Sequence, residues 1–197
     1  MDLSSELHGR LVKIFVDGEL FKEVSVTLFG KRPSLPKHLE DIDSLNVFFA
    51  EEEFQRGRSY ALKCLGNRNY LTSQLEEALL NKLVDPKNAE RILSDCKRYG
   101  YLDDDAYIEG YIRQCIARHD GPQKIITKLR GKGVSYTLAS EKVAAFTDDQ
   151  GEQIRHLLKT RYSRYNLDDY KEKQKAITAL QRKGFPLDEI FDCLGNQ

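Results

Sequence analysis

Histidine and cysteine are the residue types in this chain that are best suited to hold a metal ion or to act as a nucleophile. Their spacing shows neither a His-Glu-x-x-His pair nor a Cys-x-x-Cys pair, and it matches no zinc site. The sequence also lacks a Gly-x-x-x-x-Gly-Lys-Ser/Thr phosphate loop and a Gly-x-Ser-x-Gly nucleophile elbow. We therefore expect a protein that is not an enzyme and that holds no metal ion or cofactor. The residues concerned are His8, His38, His119, His156, Cys64, Cys96, Cys115 and Cys193.

Short runs of aspartate are a second candidate for chemistry, because clustered carboxylates bind Mg²⁺. Each run lies just before a predicted helix. There a carboxylate accepts hydrogen bonds from the first N–H groups and stabilises the helix by about 0.5–2 kcal/mol. We expect helix capping in preference to metal binding. The runs are Asp103–Asp105, Asp148–Asp149 and Asp168–Asp169.

Three lysines recur at one position of a sequence repeat. Lys82, Lys132 and Lys183 each follow a leucine by three residues, at the last turn of a predicted helix. One interpretation is a favourable interaction with the negative end of the helix, worth about 0.3–1 kcal/mol for each lysine. The other is a regularly spaced row of cations that meets an anionic partner. The sequence leaves both interpretations open.

Further basic residues lie close to two of these lysines. The pairs Lys124/Lys128 and Lys171/Lys175 place like charges four residues apart, which lowers the stability of an isolated helix. This cost favours a binding role for the cations. The candidate binding residues are Lys82, Lys124, Lys128, Arg130, Lys132, Lys171, Lys175, Arg182 and Lys183.

One stretch combines tyrosine with arginine. Tyr162 and Tyr165 are interspersed with Arg161 and Arg164. This composition is typical of an exposed aromatic and basic contact surface, and a solvated helix end is the alternative. We expect most of the other tyrosines to lie in the core or at its rim.

The composition indicates a soluble globular chain. Its 197 residues include 31 basic and 31 acidic side chains, and hydrophobic residues make up 40% of the total. No apolar run approaches the roughly 18 residues of a membrane span, and the first residues lack the features of a secretory signal. The separated cysteines fit a reducing compartment, so we expect a cytoplasmic protein. The charge is uneven, because residues 1–53 carry six basic and eleven acidic side chains and residues 54–197 carry 25 and 20.

The elements that must position these residues are mostly helices. The anchors Leu79, Leu129 and Leu180 are 50 and 51 residues apart, and apolar residues at helical spacing lie on both sides of each anchor. A further helix precedes each anchor, so the sequence predicts three tandem three-helix units that resemble helix-turn-helix motifs. Such units bury their apolar faces against their neighbours, which favours an elongated, curved array.

A different pattern precedes the helices. The apolar runs Leu11–Val16 and Leu20–Phe29 flank Asp17-Gly18, which is a strong signal for a β-hairpin. A lone hairpin is only marginally stable, so we expect it to pack on the helices that follow. The predicted fold is mainly α, with the β-hairpin extension at 1–36. A lead-in helix and the first repeat occupy 37–100, the second repeat 101–147 and the third repeat 148–197.

A combination of short segments accompanies the repeats. Tyr99-Gly100-Tyr101-Leu102-Asp103-Asp104 is followed at a fixed distance by Gly121-Pro122, and then by Leu129 with Lys132-Gly133. In the first three-helix repeat Leu83-Val84 occupies the position that Gly133-Val134 has in the second repeat. Over about residues 54–195 these segments resemble the RecX family, whose members regulate the RecA recombinase. The other matching segments are Tyr60-Ala61-Leu62, Leu65, Leu75-Glu76, Leu79, Lys82, Leu180 and Lys183-Gly184-Phe185.

The resemblance implies a non-enzymatic, monomeric protein that binds the RecA filament on single-stranded DNA, in the helical groove of the filament. It implies that filament growth, ATP turnover, strand exchange and co-cleavage of LexA are inhibited. The candidate cations listed above would then contact RecA or DNA, and free DNA would bind weakly.

The alternative is a DNA-binding protein that acts on its own through its helix-turn-helix-like units. The third helix of such a unit would have to enter the major groove. In the third repeat this helix carries Asp188, Glu189 and Asp192, which would repel phosphates. Sequence-specific readout is therefore disfavoured, whereas salt-dependent binding to the DNA backbone is not.

Overall fold

The computed structural model describes residues 1–36, 41–146 and 150–195. These residues form ten helices and one three-stranded sheet, which confirms the mainly α-helical class. The chain divides into two compact units, Met1–Asp104 and Asp105–Gln197. Among the described helices, none is both long and apolar enough to cross a membrane. Outside the described residues lie His38, Asp148, Asp149 and the repeat boundaries near 37 and 147–148.

An antiparallel sheet begins the first unit. Its strands are β1 (Leu3–His8), β2 (Leu11–Val16) and β3 (Glu19–Ser25), in the order β1-β2-β3. The predicted hairpin is present as β2 and β3, and both turn residues, Asp17 and Gly18, have positive φ values of 49° and 85°. Strand β1 is an addition to the prediction, because an exposed edge strand with mostly polar side chains shows no apolar alternation.

The last strand of the hairpin is shorter than predicted. It ends at Ser25, and Val26–Phe29 form the one-turn helix α1. The Ser25 hydroxyl accepts a hydrogen bond from the Thr27 N–H at 3.2 Å, and Gly30 ends the turn at a φ of 76°. This turn buries Leu28 and Phe29, which a continued strand would place on opposite faces of the sheet.

Helix α2 (Ile42–Asn67) unites the predicted lead-in helix with the first helix of the first repeat. It begins at Asp41, whose Oδ1 accepts a hydrogen bond from the Ser44 N–H at 2.7 Å. The sheet packs on this helix as expected, since its buried residues share one hydrophobic core with α2. That core includes Val12, Ile14, Val24, Leu45, Phe49 and Ala61.

A buried carboxylate in α2 joins three elements of the first unit. Glu53 has only 1% of its side chain exposed, and its Oε2 lies 2.8 Å from the Lys22 ammonium of β3. Its Oε1 accepts hydrogen bonds from the Asp85 N–H at 2.7 Å and from Asn88 Nδ2 at 2.9 Å. These contacts connect the sheet to the helix that begins after Asp85.

Eight further helices follow α2. Helix α3 (Thr72–Leu80) and helix α4 (Pro86–Arg98) belong to the first unit. Helix α5 begins at Asp104, the last residue of that unit. The later helices are α5 (Asp104–Ala117), α6 (Pro122–Arg130), α7 (Tyr136–Ala144), α8 (Gln150–Thr160), α9 (Tyr170–Lys183) and α10 (Leu187–Gly195). Pro86 and Pro122 lie in the first turns of α4 and α6, where their missing N–H leaves no hydrogen bond unmade.

The turns after α3, α6 and α9 share one geometry. Leu83, Gly133 and Gly184 have positive φ values of 60°, 95° and 93°. In each turn the N–H of the next residue donates to the carbonyl of the anchor leucine, at 3.2, 3.1 and 3.3 Å. The three positions that are equivalent in sequence are therefore equivalent in conformation. The anchors Leu79, Leu129 and Leu180 are fully buried.

The aspartate runs have different roles in the structure. Asp169 caps α9 as expected, since its Oδ1 accepts a hydrogen bond from the Glu172 N–H at 2.9 Å. Asp104 instead accepts a hydrogen bond from the Thr72 N–H, at the start of α3, at 2.6 Å. Asp105 forms an ion pair with Lys142 at 2.6 Å. Across the described residues, no group of three or more His, Cys, Asp or Glu side chains is placed to hold a metal ion.

Candidate functional site

The three repeat-equivalent lysines are half-buried, and two of them have partners on α5 or just beyond its end. The Lys183 ammonium donates a hydrogen bond to the Arg118 carbonyl at 3.0 Å, and burial lowers the pKa of this lysine. The Lys132 ammonium donates to the Tyr107 hydroxyl at 3.1 Å and lies 4.6 Å from the ring centroid of Tyr111. Both lysines therefore contribute to packing within the second unit.

The lysines of α6 share a buried carboxylate. Asp120 has 5% of its side chain exposed, and its Oδ1 lies 2.8 Å from the Lys124 ammonium. The Lys128 ammonium donates a hydrogen bond to Asp120 Oδ2. Burial acts to raise the pKa of Asp120, but the bonds from the two lysines outweigh it and hold this pKa below its ordinary value. The same contact raises the pKa of Lys128.

The Asp120 carboxylate compensates the like charges of Lys124 and Lys128, which lie four residues apart. The repulsion between Lys124 and Lys128 is offset by the carboxylate that both contact. Asp120 precedes Lys124 by four residues and Lys128 by eight, and this acidic residue is the sequence signal for the pairing. These two lysines need no external anion to explain their positions.

The cations of α9 lack such a partner. Lys171, Lys175 and Arg182 are exposed, and none of them forms an ion pair with another described residue. Their spacing of four and seven residues places them on one face of the helix. The acidic residue of α9, Glu172, accepts a hydrogen bond from the Asn166 N–H at 2.5 Å. This face of α9 therefore carries positive charge that is not compensated within the described part of the chain.

The two remaining candidates belong to the turns after α3 and α6. Arg130 is exposed, and its guanidinium carbon lies 5.9 Å from the ring centroid of Tyr136. Lys82 is half-buried and forms no ion pair with another described residue. The nine predicted cations thus divide between internal contacts and solvent.

The tyrosines differ from the prediction. Tyr162 and Tyr165 are half-buried, and their rings stack with centroids 6.0 Å apart and an interplanar angle of 9°. They pack against the core formed by α8, α9 and α10, so the two rings are only partly exposed to solvent. Several tyrosines expected at the core or its rim are exposed instead. These are Tyr99, Tyr101, Tyr136 and Tyr170.

Two of the exposed tyrosines form a cluster with arginine, which we call the Tyr99–Tyr101 cluster. Tyr99 and Tyr101 are 55% and 56% exposed, and their centroids lie 6.2 Å apart. Arg98 Nη2 donates a hydrogen bond to the Tyr99 hydroxyl at 3.2 Å. Gly100, with a φ of 72°, ends α4 between the two rings and turns both outward. The sequence signal is a Tyr-Gly-Tyr segment directly after two basic residues at a helix end.

An acidic residue completes this cluster. Asp95 lies 2.8 Å from the Arg98 guanidinium and 3.7 Å from that of Arg58. The guanidinium carbon of Arg58 is also 5.9 Å from the Tyr99 centroid. Exposed tyrosines held by arginines and a carboxylate are typical of the residues that dominate binding energy in protein interfaces.

Comparisons with known proteins agree with this organisation. The family model for the third three-helix domain of RecX matches residues 148–194. A regulatory protein RecX of Bacillus subtilis (strain 168) is 28% identical over 157 residues, which are 78% of this chain and 59% of that protein. A regulatory protein RecX of Clostridium perfringens (strain 13 / Type A) is 26% identical over 186 residues, which are 92% of this chain and 85% of that protein. The chain thus spans less than two thirds of the Bacillus relative.

Solved structures show the same fold. A crystal structure of regulatory protein RecX covers 100% of this chain and 98% of its own, with a TM-score of 0.65 and 20% identity. A crystal structure of RecX from Lactobacillus salivarius covers 74% of this chain and 97% of its own, with a TM-score of 0.68 and 23% identity. The matched third helical unit, the relatives over most of its length and the shared fold all make this chain similar to proteins of the RecX family.

Proposed function

We propose that this chain is a non-enzymatic, cytoplasmic regulator of the RecA recombinase that binds the RecA filament on single-stranded DNA. On this proposal the protein lies as a monomer in the helical groove of the filament. It inhibits filament growth, ATP turnover, strand exchange and coprotease activity. Support comes from relatives over 78% and 92% of the chain that are named regulatory protein RecX.

The observation that carries the proposal is the Tyr99–Tyr101 cluster. Two large aromatic rings that are more than half exposed cost solvation free energy unless a partner covers them. The surrounding Arg58, Asp95 and Arg98 supply both signs of charge, which suits a protein surface better than a uniformly anionic nucleic acid. The cluster also lies in the Tyr99–Asp104 segment, which carries part of the family resemblance.

The candidate cations are assigned within this proposal by their contacts. Lys82 and Arg130, together with the face of α9, remain available for an anionic partner. Lys124, Lys128, Lys132 and Lys183 are engaged inside the second unit, so they act in binding only through the part of each ammonium that stays exposed.

The test is the ATPase activity of RecA on single-stranded DNA. We expect the wild-type chain to lower this activity at substoichiometric or near-stoichiometric amounts. The double variant Tyr99→Ala/Tyr101→Ala should need at least about thirtyfold more protein for the same inhibition, because one hot-spot side chain contributes about 2 kcal/mol or more and about 1.4 kcal/mol is a factor of ten. Phe191→Ala is the matched control, since Phe191 is an aromatic residue that is 52% exposed outside the cluster.

Two results would contradict the proposal. The absence of any effect of the wild-type chain on its cognate recombinase would remove the regulatory function. Equal inhibition by the double variant and by Phe191→Ala would remove the protein contact from the Tyr99–Tyr101 cluster. Circular dichroism would first establish that both variants retain the helix content of the wild type.

A DNA-binding protein that acts on its own is the second candidate. The observation in its favour is the exposed, positively charged face of α9. Against sequence-specific readout, α10 begins with Asp188 and Glu189 in its first turn, where a recognition helix would meet phosphates. This function predicts equal DNA binding with and without RecA and no change in ATPase activity beyond competition for DNA.

A further inference from the structure

The third three-helix repeat contains a groove whose lining residues fit a nucleic-acid strand. The groove has a volume of about 380 Å³ and lies between α9 and the segment that precedes it. Lys175 and Arg182 lie seven residues apart on one side, and the Tyr165 ring forms part of the other. The lining residues are Tyr165, Gln174, Lys175, Thr178, Ala179 and Arg182.

The two cations of the groove are uncompensated. Neither Lys175 nor Arg182 forms an ion pair with another residue that the structure describes. Lys171, one turn before Lys175 on the same face, adds a third positive charge. The acidic Glu172 is held by the Asn166 N–H and is not paired with these cations. The groove therefore attracts an anion with at least two charges at a separation set by the helix.

The spacing of these charges favours a chain of phosphates over a single small anion. Residues seven apart on an α-helix are about two turns, or roughly 10 Å, apart along its axis. Two cations at this spacing match two anionic groups in succession along the helix better than one small anion. Successive phosphates of a nucleic-acid backbone supply several anionic groups along one path.

The aromatic wall favours nucleic acid over an acidic protein surface. Tyr165 is half-buried and stacks on Tyr162 at 6.0 Å, so its ring is already oriented before a ligand arrives. A preorganised ring loses little conformational entropy when it binds. Stacking of a base on an aromatic ring contributes to the binding of all bases alike, because every base has a π-face.

The strand has to be single. In a duplex the base faces are stacked on one another and cannot reach Tyr165. The cations lie on the second helix of the repeat, α9, and not on the third.

We propose that this groove is a binding site for single-stranded nucleic acid, in which Lys175 and Arg182 contact backbone phosphates and Tyr165 stacks on a base. The inference rests on the proposed function, since the single strand of the RecA filament is the natural occupant. It assigns the nucleic-acid contact to α9 and leaves the protein contact to the Tyr99–Tyr101 cluster.

The experiment measures binding of a fluorescein-labelled oligothymidylate to the full chain by fluorescence anisotropy, without RecA. We expect Lys175→Glu/Arg182→Glu to weaken binding by about tenfold or more. The single variants Lys175→Gln and Arg182→Gln should each reduce the slope of log K against log salt by about 0.7, the value for one phosphate contact on a single strand. Tyr165→Leu should weaken binding by about tenfold, and Tyr165→Phe should retain it.

Lys31→Glu is the matched control. Lys31 is exposed, makes no ion pair with the described residues, and undergoes the same charge reversal as Lys175. We expect it to change affinity by less than the single reversal Lys175→Glu. Unlabelled oligothymidylate should compete better than a duplex of the same length.

The proposal is overturned if the wild-type chain does not bind the oligonucleotide at low salt, or if the double reversal binds it as the wild type does. Equal competition by duplex would overturn the single-strand assignment. RecA inhibition is read separately in the ATPase assay. A wild-type chain that binds the oligonucleotide through the groove and leaves RecA unaffected would end the regulatory proposal and keep the groove.

Discussion

The backbone N–H of Gly121 donates a hydrogen bond to the carbonyl of Lys183 at 2.7 Å, and this bond joins the start of α6 to the end of α9. The Gln123 N–H donates to the Gly184 carbonyl at 3.1 Å beside it. A helix leaves its first N–H groups and its last carbonyls without partners. Here the positive end of one helix and the negative end of another satisfy each other.

Such a close approach of two backbones requires glycine. A Cβ atom at Gly121 would lie 2.5 Å from the Gly184 carbonyl carbon, and one at Gly184 would lie 2.5 Å from Lys124 Cβ. Both distances are shorter than any ordinary contact between carbon atoms. Since the neighbour of Gly121 is backbone, it cannot move aside without breaking the junction.

Gly121→Ala is therefore expected to lower the free energy of unfolding by about 1–3 kcal/mol through overpacking. Urea denaturation followed by circular dichroism measures this change. The control is Gly110→Ala in α5, where the added Cβ meets no atom within 4 Å. That exposed helical position should gain about 0.5–1 kcal/mol. A Gly121→Ala variant as stable as the wild type would show that the junction is absent in solution.

Asp120→Asn tests the buried carboxylate through its pH dependence. Lys124 and Lys128 hold the pKa of Asp120 below its ordinary value of 3.8 in the folded state. The carboxylate therefore contributes stability that is complete above the unfolded pKa and is lost as the pH falls through the lower, folded pKa. At neutral pH we expect the variant to be less stable by about 1–3 kcal/mol.

The difference between wild type and Asp120→Asn should be constant from about pH 5 to 7 and should shrink below about pH 4. Urea denaturation at each pH gives this difference. Asp105→Asn is a control, since Asp105 is 69% exposed and its pair with Lys142 is accessible to solvent. A difference that stays unchanged below pH 4 would contradict the role of Asp120.

Leu83 is the non-glycine member of the three equivalent turns. Its φ of 60° is costly for a residue with a Cβ, by about 1–2 kcal/mol, and its side chain is 42% exposed. Leu83→Gly should remove this strain while it increases the entropy of the unfolded chain. We expect a net gain of about 0.5–1 kcal/mol in unfolding free energy.

Gly133→Ala is the reciprocal change at the equivalent position of the next repeat. It should cost about 1–2 kcal/mol, because Gly133 has a φ of 95°. Thermal unfolding of both variants and of the wild type shows whether each substitution raises or lowers the stability. The same sign for both would contradict the equivalence of the turns.

Two substitutions of Glu53 separate the contribution of charge to the stability of the first unit from the contribution of hydrogen bonding. Glu53→Gln keeps an oxygen for the Asp85 N–H and for Asn88, but it loses the ion pair with Lys22. Glu53→Ala loses all three contacts and leaves buried donors without partners. We expect the alanine variant to be less stable by about 2–3 kcal/mol and the glutamine variant to lie between it and the wild type.

Guanidinium denaturation of both Glu53 variants provides the comparison. Lys22→Met removes the charge from the opposite side, and it should lower stability less than Glu53→Ala because Lys22 is 29% exposed. If the alanine and glutamine variants were equally stable, the hydrogen bonds that Glu53 accepts from Asp85 and Asn88 would contribute nothing to the free energy of unfolding.

The charged side chains show where reasoning from sequence reaches its limit. Charge reversal at Lys124 or Lys128 disturbs Asp120 and tests stability, whereas reversal at Lys171 or Lys175 tests binding. Sequence spacing treats both pairs alike, since each consists of two lysines four residues apart. A carboxylate from outside the helix separates them, and its position depends on the path of the chain before α6.

The tyrosines show the same limit. Tyr165 and Tyr101 both lie near basic residues in the sequence, yet Tyr165 is half-buried in a stack and Tyr101 is 56% exposed. The exposure of an aromatic ring depends on which other residues cover it, and those residues belong to segments that are distant in sequence. Gly100 gave a local sign of the outward turn, because a left-handed residue after a helix changes the direction of the chain.

The sequence by itself determined the helical class, the β2–β3 hairpin and the three anchor leucines, because apolar period, turn chemistry and capping act over a few neighbouring residues. Leu79, Leu129 and Leu180 are fully buried, and the turns that follow them share one conformation. Only the tertiary structure decided which cations remain uncompensated and which aromatic rings face solvent. Burial and ion pairing depend on contacts between residues far apart in the chain, and no local pattern specifies them.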